Sequence, residues 1–174
     1  MLTGSMIHGR RRNNKQKVGA QVELNFTEIP EGERLPYLPY LLMADESPEI
    51  IKPYIDLGDL FALGIQREVA GVMLYIPVDS HTIELKNIAI KEAFRGKGIG
   101  KKAIDYACTY YNNAGYETLR VGTANSSIEN LAFYQRAGFR MTGVIKDFFL
   151  QYPEPIYENG IRALDMILFE RSLG

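Results

Sequence analysis

The stretch Arg95-Gly96-Lys97-Gly98-Ile99-Gly100 decides the fold, because it joins a strand-like run at 82–90 to a helix-like run that begins near Gly98. Three glycines let a backbone approach an anion closely, and a new helix adds unpaired first-turn N–H groups and the positive end of its dipole. Arg95 and Lys97 add full charges. The spacing lacks the Gly-Lys-Ser/Thr ending of a P-loop and the acidic follower of a dinucleotide fingerprint. By itself the loop predicts a phosphate, and best a pyrophosphate, at a strand-to-helix junction.

Outward from the loop, the helix is predicted to run from Gly98 to about Asn113, since Ile99, Ala103, Ile104, Ala107, Cys108 and Tyr111 recur at helical spacing and Gly115 closes it. Cys108 reads as a packed small residue, with no histidine beside it to activate a thiol. Before the loop lie three strand-like runs, 60–66, 69–78 and 82–90, joined by links short enough for antiparallel hairpins. Earlier still, 18–29 is β-rich, and 36–43 and 48–57 read as short helices, the second opened by Ser47-Pro48 and stopped by Gly58. After the loop come a strand at 118–123, a helix opened by Ser126-Ser127-Ile128-Glu129 and ended by Gly138, and strands at 141–150 and 163–169. A Pro- and Tyr-rich loop at 151–160 connects the last two. The order β-α-α-β-β-β-α-β-α-β-β predicts an α/β fold, a mixed sheet of about seven strands with helices on its faces.

With 174 residues and 46% hydrophobic content, the chain can bury one core and is short for two domains. A single cysteine excludes an internal disulfide, and no apolar run approaches the ~18 residues of a membrane span. The N-terminus carries no apolar stretch after its basic residues, so no secretory signal is read, and a cytoplasmic location is expected. The net charge of −1 conceals an asymmetry: residues 1–17 hold Arg10, Arg11, Arg12, Lys15 and Lys17 and no acid. That segment is expected to be a solvated, flexible or added extension, with residues 18–174 forming one domain. No aromatic residues alternate with its charges, so nucleic acid is not an expected partner.

Two separated motifs resemble the GCN5-related N-acetyltransferase (GNAT) family. Ile88-Ala89-Ile90-Lys91-Glu92-Ala93-Phe94-Arg95-Gly96-Lys97-Gly98-Ile99-Gly100 resembles its pyrophosphate arm, and Asn130-Leu131-Ala132-Phe133-Tyr134-Gln135-Arg136-Ala137-Gly138-Phe139 its second CoA-facing helix. Their order and their separation of about 30 residues make a joint signal that neither makes alone. The resemblance spans residues 18–170 and implies an acetyl-CoA-dependent N-acetyltransferase that moves an acetyl group to a primary amine by direct attack.

It also implies residue roles. The amides of 95–100 (Arg95, Gly96, Lys97, Gly98, Ile99, Gly100) would hold the pyrophosphate. The pantetheine would pair with the main chain at Ile88, Ala89 and Ile90, where the strand splays from its neighbour near Gly122. The Ile88 amide would serve as oxyanion donor. Glu84, four residues earlier and so expected on the same strand face as Ile88, would take the amine proton directly or through water. Tyr134 would be the acid for the leaving thiolate, and Asn125 and Asn130 would bond the pantetheine.

His8 and His81 have no partners at ligand spacing, and no metal is expected. Asp147, Glu154 and Glu158, with Phe148, Phe149, Tyr152 and Tyr157, could wall a pocket for a cationic amine. The acceptor class stays open among small amines, polyamines, antibiotics and protein amines, as does a homodimer. A CoA-binding sensor with little catalysis is the competing class, and it would be marked by loss of Glu84 or Tyr134; both are present.

Overall fold

The structure, a computed structural model, describes residues 23–45 and 47–174. The expected basic extension at 1–17 lies outside the described residues, as does the first part of the 18–29 run. The elements run β1 (Leu24–Ile29), α1 (Leu38–Leu41), α2 (Pro48–Ile51), β2 (Asp59–Ile65), β3 (Glu68–Pro77), β4 (Thr82–Ile90), α3 (Ile99–Asn113), β5 (Thr118–Ala124), α4 (Ile128–Arg136), β6 (Arg140–Ile145), β7 (Tyr157–Glu158), β8 (Ile161–Arg162) and β9 (Met166–Ser172).

Seven strands form one mixed sheet in the order β1-β2-β3-β4-β5-β9-β6, and β7 and β8 form a separate hairpin. Only β4 and β5 pair in parallel, and the crossover that such a pair needs is α3. The antiparallel neighbours follow from tight links. At the β3–β4 turn the Asp79 carboxylate accepts the amides of His81 and Thr82, both at 2.8 Å. Those backbone donors hold the Asp79 carboxyl below its ordinary pKa, so this contribution is lost as pH falls through the carboxylate range.

Two apolar clusters sandwich the sheet. One packs the α3 stripe of Ile99, Ala103, Ile104, Ala107, Cys108 and Tyr111 on Phe61, Met73, Tyr75, Ile83, Leu85, Leu119 and Val121. Ile104 is fully buried, and cutting it to Ala would cost about 2–5 kcal/mol. The second cluster joins Leu41, Ile51, Tyr54 and Ile55 to Leu60, Val72, Leu74 and Ala89 on the other face.

Three expectations are corrected in detail. The helices expected at 36–43 and 48–57 shrink to a 3-10 turn at Leu35–Tyr37 followed by α1, and to α2. Pro53 cannot donate to the carbonyl of Glu49, which ends α2 after one turn. The segment is held instead by Arg34, 4% exposed, whose guanidinium donates to the carbonyls of Ile29, Ile55, Leu57 and Gly58 at 2.8–3.2 Å. The strand expected at 141–150 stops at Ile145, because Asp147 turns the chain with φ 60° while Asp165 accepts its amide at 2.9 Å. Finally, the 151–160 loop contains β7, and the last strand inserts between β5 and β6.

Candidate active site

Parallel pairing of β4 with β5 covers only Thr82–Leu85 against Thr118–Val121. Beyond it β4 continues with β3 as far as Ile90↔Gly71, and β5 with β9 as far as Ala124↔Met166, so the two strands part and leave a wedge. A cleft of about 450 Å³ fills this wedge. Gly122 lies on its wall in regular strand pairing; a Cβ there would sit 2.4 Å from the Met166 sulfur, so the glycine makes room for that side chain.

Which main-chain groups face the wedge follows from one bond. The Lys91 amide donates to Ala70 on β3 at 2.8 Å, and alternation then turns Ala89 and Asn87 toward β3 and Ile88 and Ile90 toward the open edge. Ala89 is thereby corrected: its main chain is committed to Val72, and only Ile88 and Ile90 offer groups to a ligand. The Ile90 carbonyl already accepts Arg95 Nε at 2.9 Å.

The expected place of Glu84 is also corrected. Register jumps from Tyr75↔Leu85 to Leu74↔Asn87, leaving Lys86 as a bulged residue without a partner and reversing the face on which each parity lies. Ile83 and Leu85 enter the α3 cluster before the bulge, and Ile88 and Ile90 pack on that same cluster after it. Glu84 therefore faces away from Ile88. It does not line the cleft, and its carboxylate lies 3.4 Å from the Lys86 ammonium, which does.

In the glycine loop Gly96 and Gly98 have φ of 70° and 74°, a conformation that disfavours side chains, and Gly98 is the residue that opens α3. Arg95's amide donates to Glu92, whereas no backbone hydrogen bond among the described residues uses the amides of Gly96, Lys97, Gly98, Ile99, Gly100 or Lys101. The free set is thus 96–101, one residue later than expected. Lys97 rests its ammonium on the Ala93 carbonyl at 2.8 Å. Gly100 admits Phe133 of α4, whose ring carbon would be 3.2 Å from a Cβ there, so α4 lies beside the loop while its Asn130 and Tyr134 line the cleft.

Two of the α4-side residues meet the cleft and one does not. Tyr134, 5% exposed among Phe133, Phe139 and Phe169, lines it, and burial pushes its phenol well above the ordinary range. No hydrogen bond among the described residues engages its hydroxyl. Asn130 also lines the cleft, its Nδ2 3.3 Å from Thr123 Oγ1. Asn125 is corrected: its Oδ1 accepts the amides of Leu164 and Asp165 at 2.8 and 3.0 Å and its Nδ2 donates to the Arg162 carbonyl at 3.1 Å, so the side chain is spent on tying β8 to β9.

Of the pocket walls expected from 147–158, Phe148, Phe149, Tyr152 and Glu158 line the cleft, whereas Asp147 and Glu154 do not and Tyr157 is 64% exposed. Glu158 accepts the hydroxyls of Ser126, at 3.0 Å, and of Ser127. Opposite stand residues that sequence reasoning passed over: Asp45, Tyr54, Lys86 and Asn87. Tyr54 donates to Asp45 Oδ2 at 3.2 Å, Tyr152 to Asp45 Oδ1 at 3.4 Å, and Asn87 Nδ2 to Tyr54 Oη at 3.4 Å. A signal existed for Asn87 alone, a polar residue inside the apolar run of β4. His81 lies apart, paired with Glu117 at 3.2 Å on the surface. No helix of the described residues is long and apolar enough to cross a membrane.

Residues 30–139 match the profile of the Acetyltransferase (GNAT) family. An uncharacterized N-acetyltransferase of Bacillus subtilis, YvbK, is 40% identical over 128 residues, which is 73% of this chain and 83% of that protein. A GNAT family acetyltransferase from Elizabethkingia anophelis, solved with acetyl-CoA bound, superposes with a TM-score of 0.81 at 39% identity, covering 86% of this chain and 97% of its own. The IAA acetyltransferase of Bacillus cereus gives 0.80 at 37% identity over 86% and 99%.

Proposed function

This chain belongs to the GNAT acetyltransferase family and is an acetyl-CoA-dependent N-acetyltransferase, and from that premise we propose that it acetylates a primary amine which enters the cleft as a cation and attacks the thioester directly. The observation that carries the reading is the wedge between β4 and β5, open along the Ile88–Ile90 edge on one side and walled by Asp45, Glu158 and aromatic rings on the other.

On the cofactor side, the six unpaired amides of 96–101 and the start of α3 suit a pyrophosphate, with Arg95 and Lys97 at its rim. The pantetheine lies along Ile88 and Ile90 like an added strand, with Asn130 beside it. Attack by nitrogen turns the carbonyl tetrahedral, and the Ile88 N–H stabilises the oxyanion. When the C–S bond breaks, Tyr134 gives its proton to the sulfur; burial keeps that phenol protonated at neutral pH, and with no partner among the described residues its hydroxyl is free to turn. Glu84 acts from beside the cleft by holding the Lys86 ammonium, 5.7 Å from the centre of the Tyr54 ring.

The test is calorimetric titration with acetyl-CoA followed by thiol release with amine acceptors. Binding with turnover that survives removal of residues 1–17 supports the reading, whereas absence of acetyl-CoA binding would sink it.

A further inference from the structure

We propose that Asp45 is the proton acceptor for a small primary amine in this cleft, reached through the Tyr54 hydroxyl, which Asn87 holds in place. The proposal rests on the transfer reading above and assigns its missing proton step.

The hydrogen bonds fix the direction of the chain. Asn87 Nδ2 lies 3.0 Å from the Leu41 carbonyl, which can only accept, so the NH₂ group must face there and the same nitrogen donates to Tyr54 Oη. Tyr54 therefore directs its own proton to Asp45 Oδ2 and keeps a lone pair on its oxygen. Burial pushes this phenol above its ordinary range, so it relays protons without ionising. Asn87 adjoins Ile88, the oxyanion donor proposed above, and all four residues line the same cleft, so the chain from Asn87 through Tyr54 to Asp45 starts beside the proposed point of attack.

The other cleft carboxylate is taken: Glu158 is engaged by Ser126 and Ser127. Among the described residues no Lys, Arg or His forms an ion pair with Asp45. Asn87 Oδ1 is buried with no donor among the described residues. An uncompensated polar atom weakens the fold, which is understandable where the residue serves to orient Tyr54.

The protons balance. The ammonium R–NH₃⁺ passes one proton to Tyr54 Oη as the Tyr54 proton moves to Asp45, leaving R–NH₂ and a neutral carboxylic acid that returns its proton to solvent. Nitrogen attacks the thioester carbon, the C–S bond breaks with its electron pair on sulfur, and Tyr134 protonates that sulfur. The second nitrogen proton restores Tyr134, and the products are R–NH–acetyl, CoASH and one released proton.

The experiment uses the full chain, acetyl-CoA, and n-butylamine, tyramine and spermidine as acceptor probes, with the peptide Ala-Gly-Ser as a protein-like amine. Transfer to at least one small probe is expected. Asp45→Asn and Tyr54→Phe should each lower kcat about 100-fold, with Asp45→Glu recovering part of it. The acetyl-CoA Kd should stay within about twofold in every variant. The proton inventory of kcat, curved in the native protein, should become linear in Tyr54→Phe, a change that mere loosening of the fold would not produce. Retention of kcat within about threefold in Asp45→Asn would overturn the proposal, above all if Glu84→Gln abolishes transfer. Transfer to the peptide alone would overturn the small-amine assignment and leave the transferase reading standing. Absence of acetyl-CoA binding would remove both.

Discussion

At the 96–101 loop the polar groups left open are main-chain amides set by two positive-φ glycines, whereas across the cleft, between residues 41 and 58, they are the side chains of Asp45 and Tyr54, held by one another and by Asn87. The first region sits at the end of a 15-residue helix with a continuous apolar stripe. The second is built of one-turn helices broken by prolines and pinned by a single guanidinium. A backbone site depends on chain geometry and tolerates changes in most side chains. A side-chain site can be retuned by one substitution, so it is where acceptor choice can vary without loss of the cofactor.

That contrast separates stability from affinity. Its largest expected effect is Arg34→Met, which deprives four carbonyls of a charged donor and should cost about 3 kcal/mol, lowering Tm by about 6–12 °C. Acceptor KM should rise with it, while calorimetry should find acetyl-CoA affinity intact; a parallel fall in both would erase the distinction between the two sides. Next, Tyr134→Phe should lower kcat by about 100-fold at constant acetyl-CoA Kd, read by thiol release against titration.

Gly98→Val should weaken acetyl-CoA by about 10-fold or more, since a β-branched residue at φ 74° costs on the order of 1–3 kcal/mol. Its acceptor KM should barely move. The smallest effect is expected from Lys97→Ala: an exposed cation contributes at most about 1 kcal/mol, and the loss should fade with added salt. The pH dependence sharpens the same picture. Folding raises the Tyr134 pKa, so the native state favours the protonated phenol. Its contribution to stability is present below the ordinary tyrosine range and is lost as pH rises above about 10, and it creates no basic limb in activity near neutrality.

The sequence made the cofactor side legible because periodicity and glycine spacing act locally. Ile88, the loop glycines and Tyr134 could all be placed from their neighbours. The bulge at Lys86 left a mark only in the switch of the apolar positions from odd (Ile83, Leu85) to even (Ile88, Ile90), which apolar Ala89 obscures until the register with β3 is known. That one residue put Glu84 on the wrong face. Asn125 was misplaced for a different reason: its three bonds go to residues 37–40 positions away, beyond the reach of any local pattern. Asp45 and Tyr54 were hidden because their significance comes from contacts with Asn87 and Tyr152, which only the fold supplies.

Amide hydrogen exchange resolved by residue, with and without acetyl-CoA, addresses the backbone character of the cofactor side. The amides of Gly96 to Lys101 and of Ile88 should exchange quickly in the free protein and slow markedly when acetyl-CoA binds, while Arg95 and Ala89, already bonded, should change little. Binding of acetyl-CoA that leaves the Gly96 to Lys101 and Ile88 amides fast, or that protects a different part of the sheet, would contradict the placement of the cofactor in this wedge.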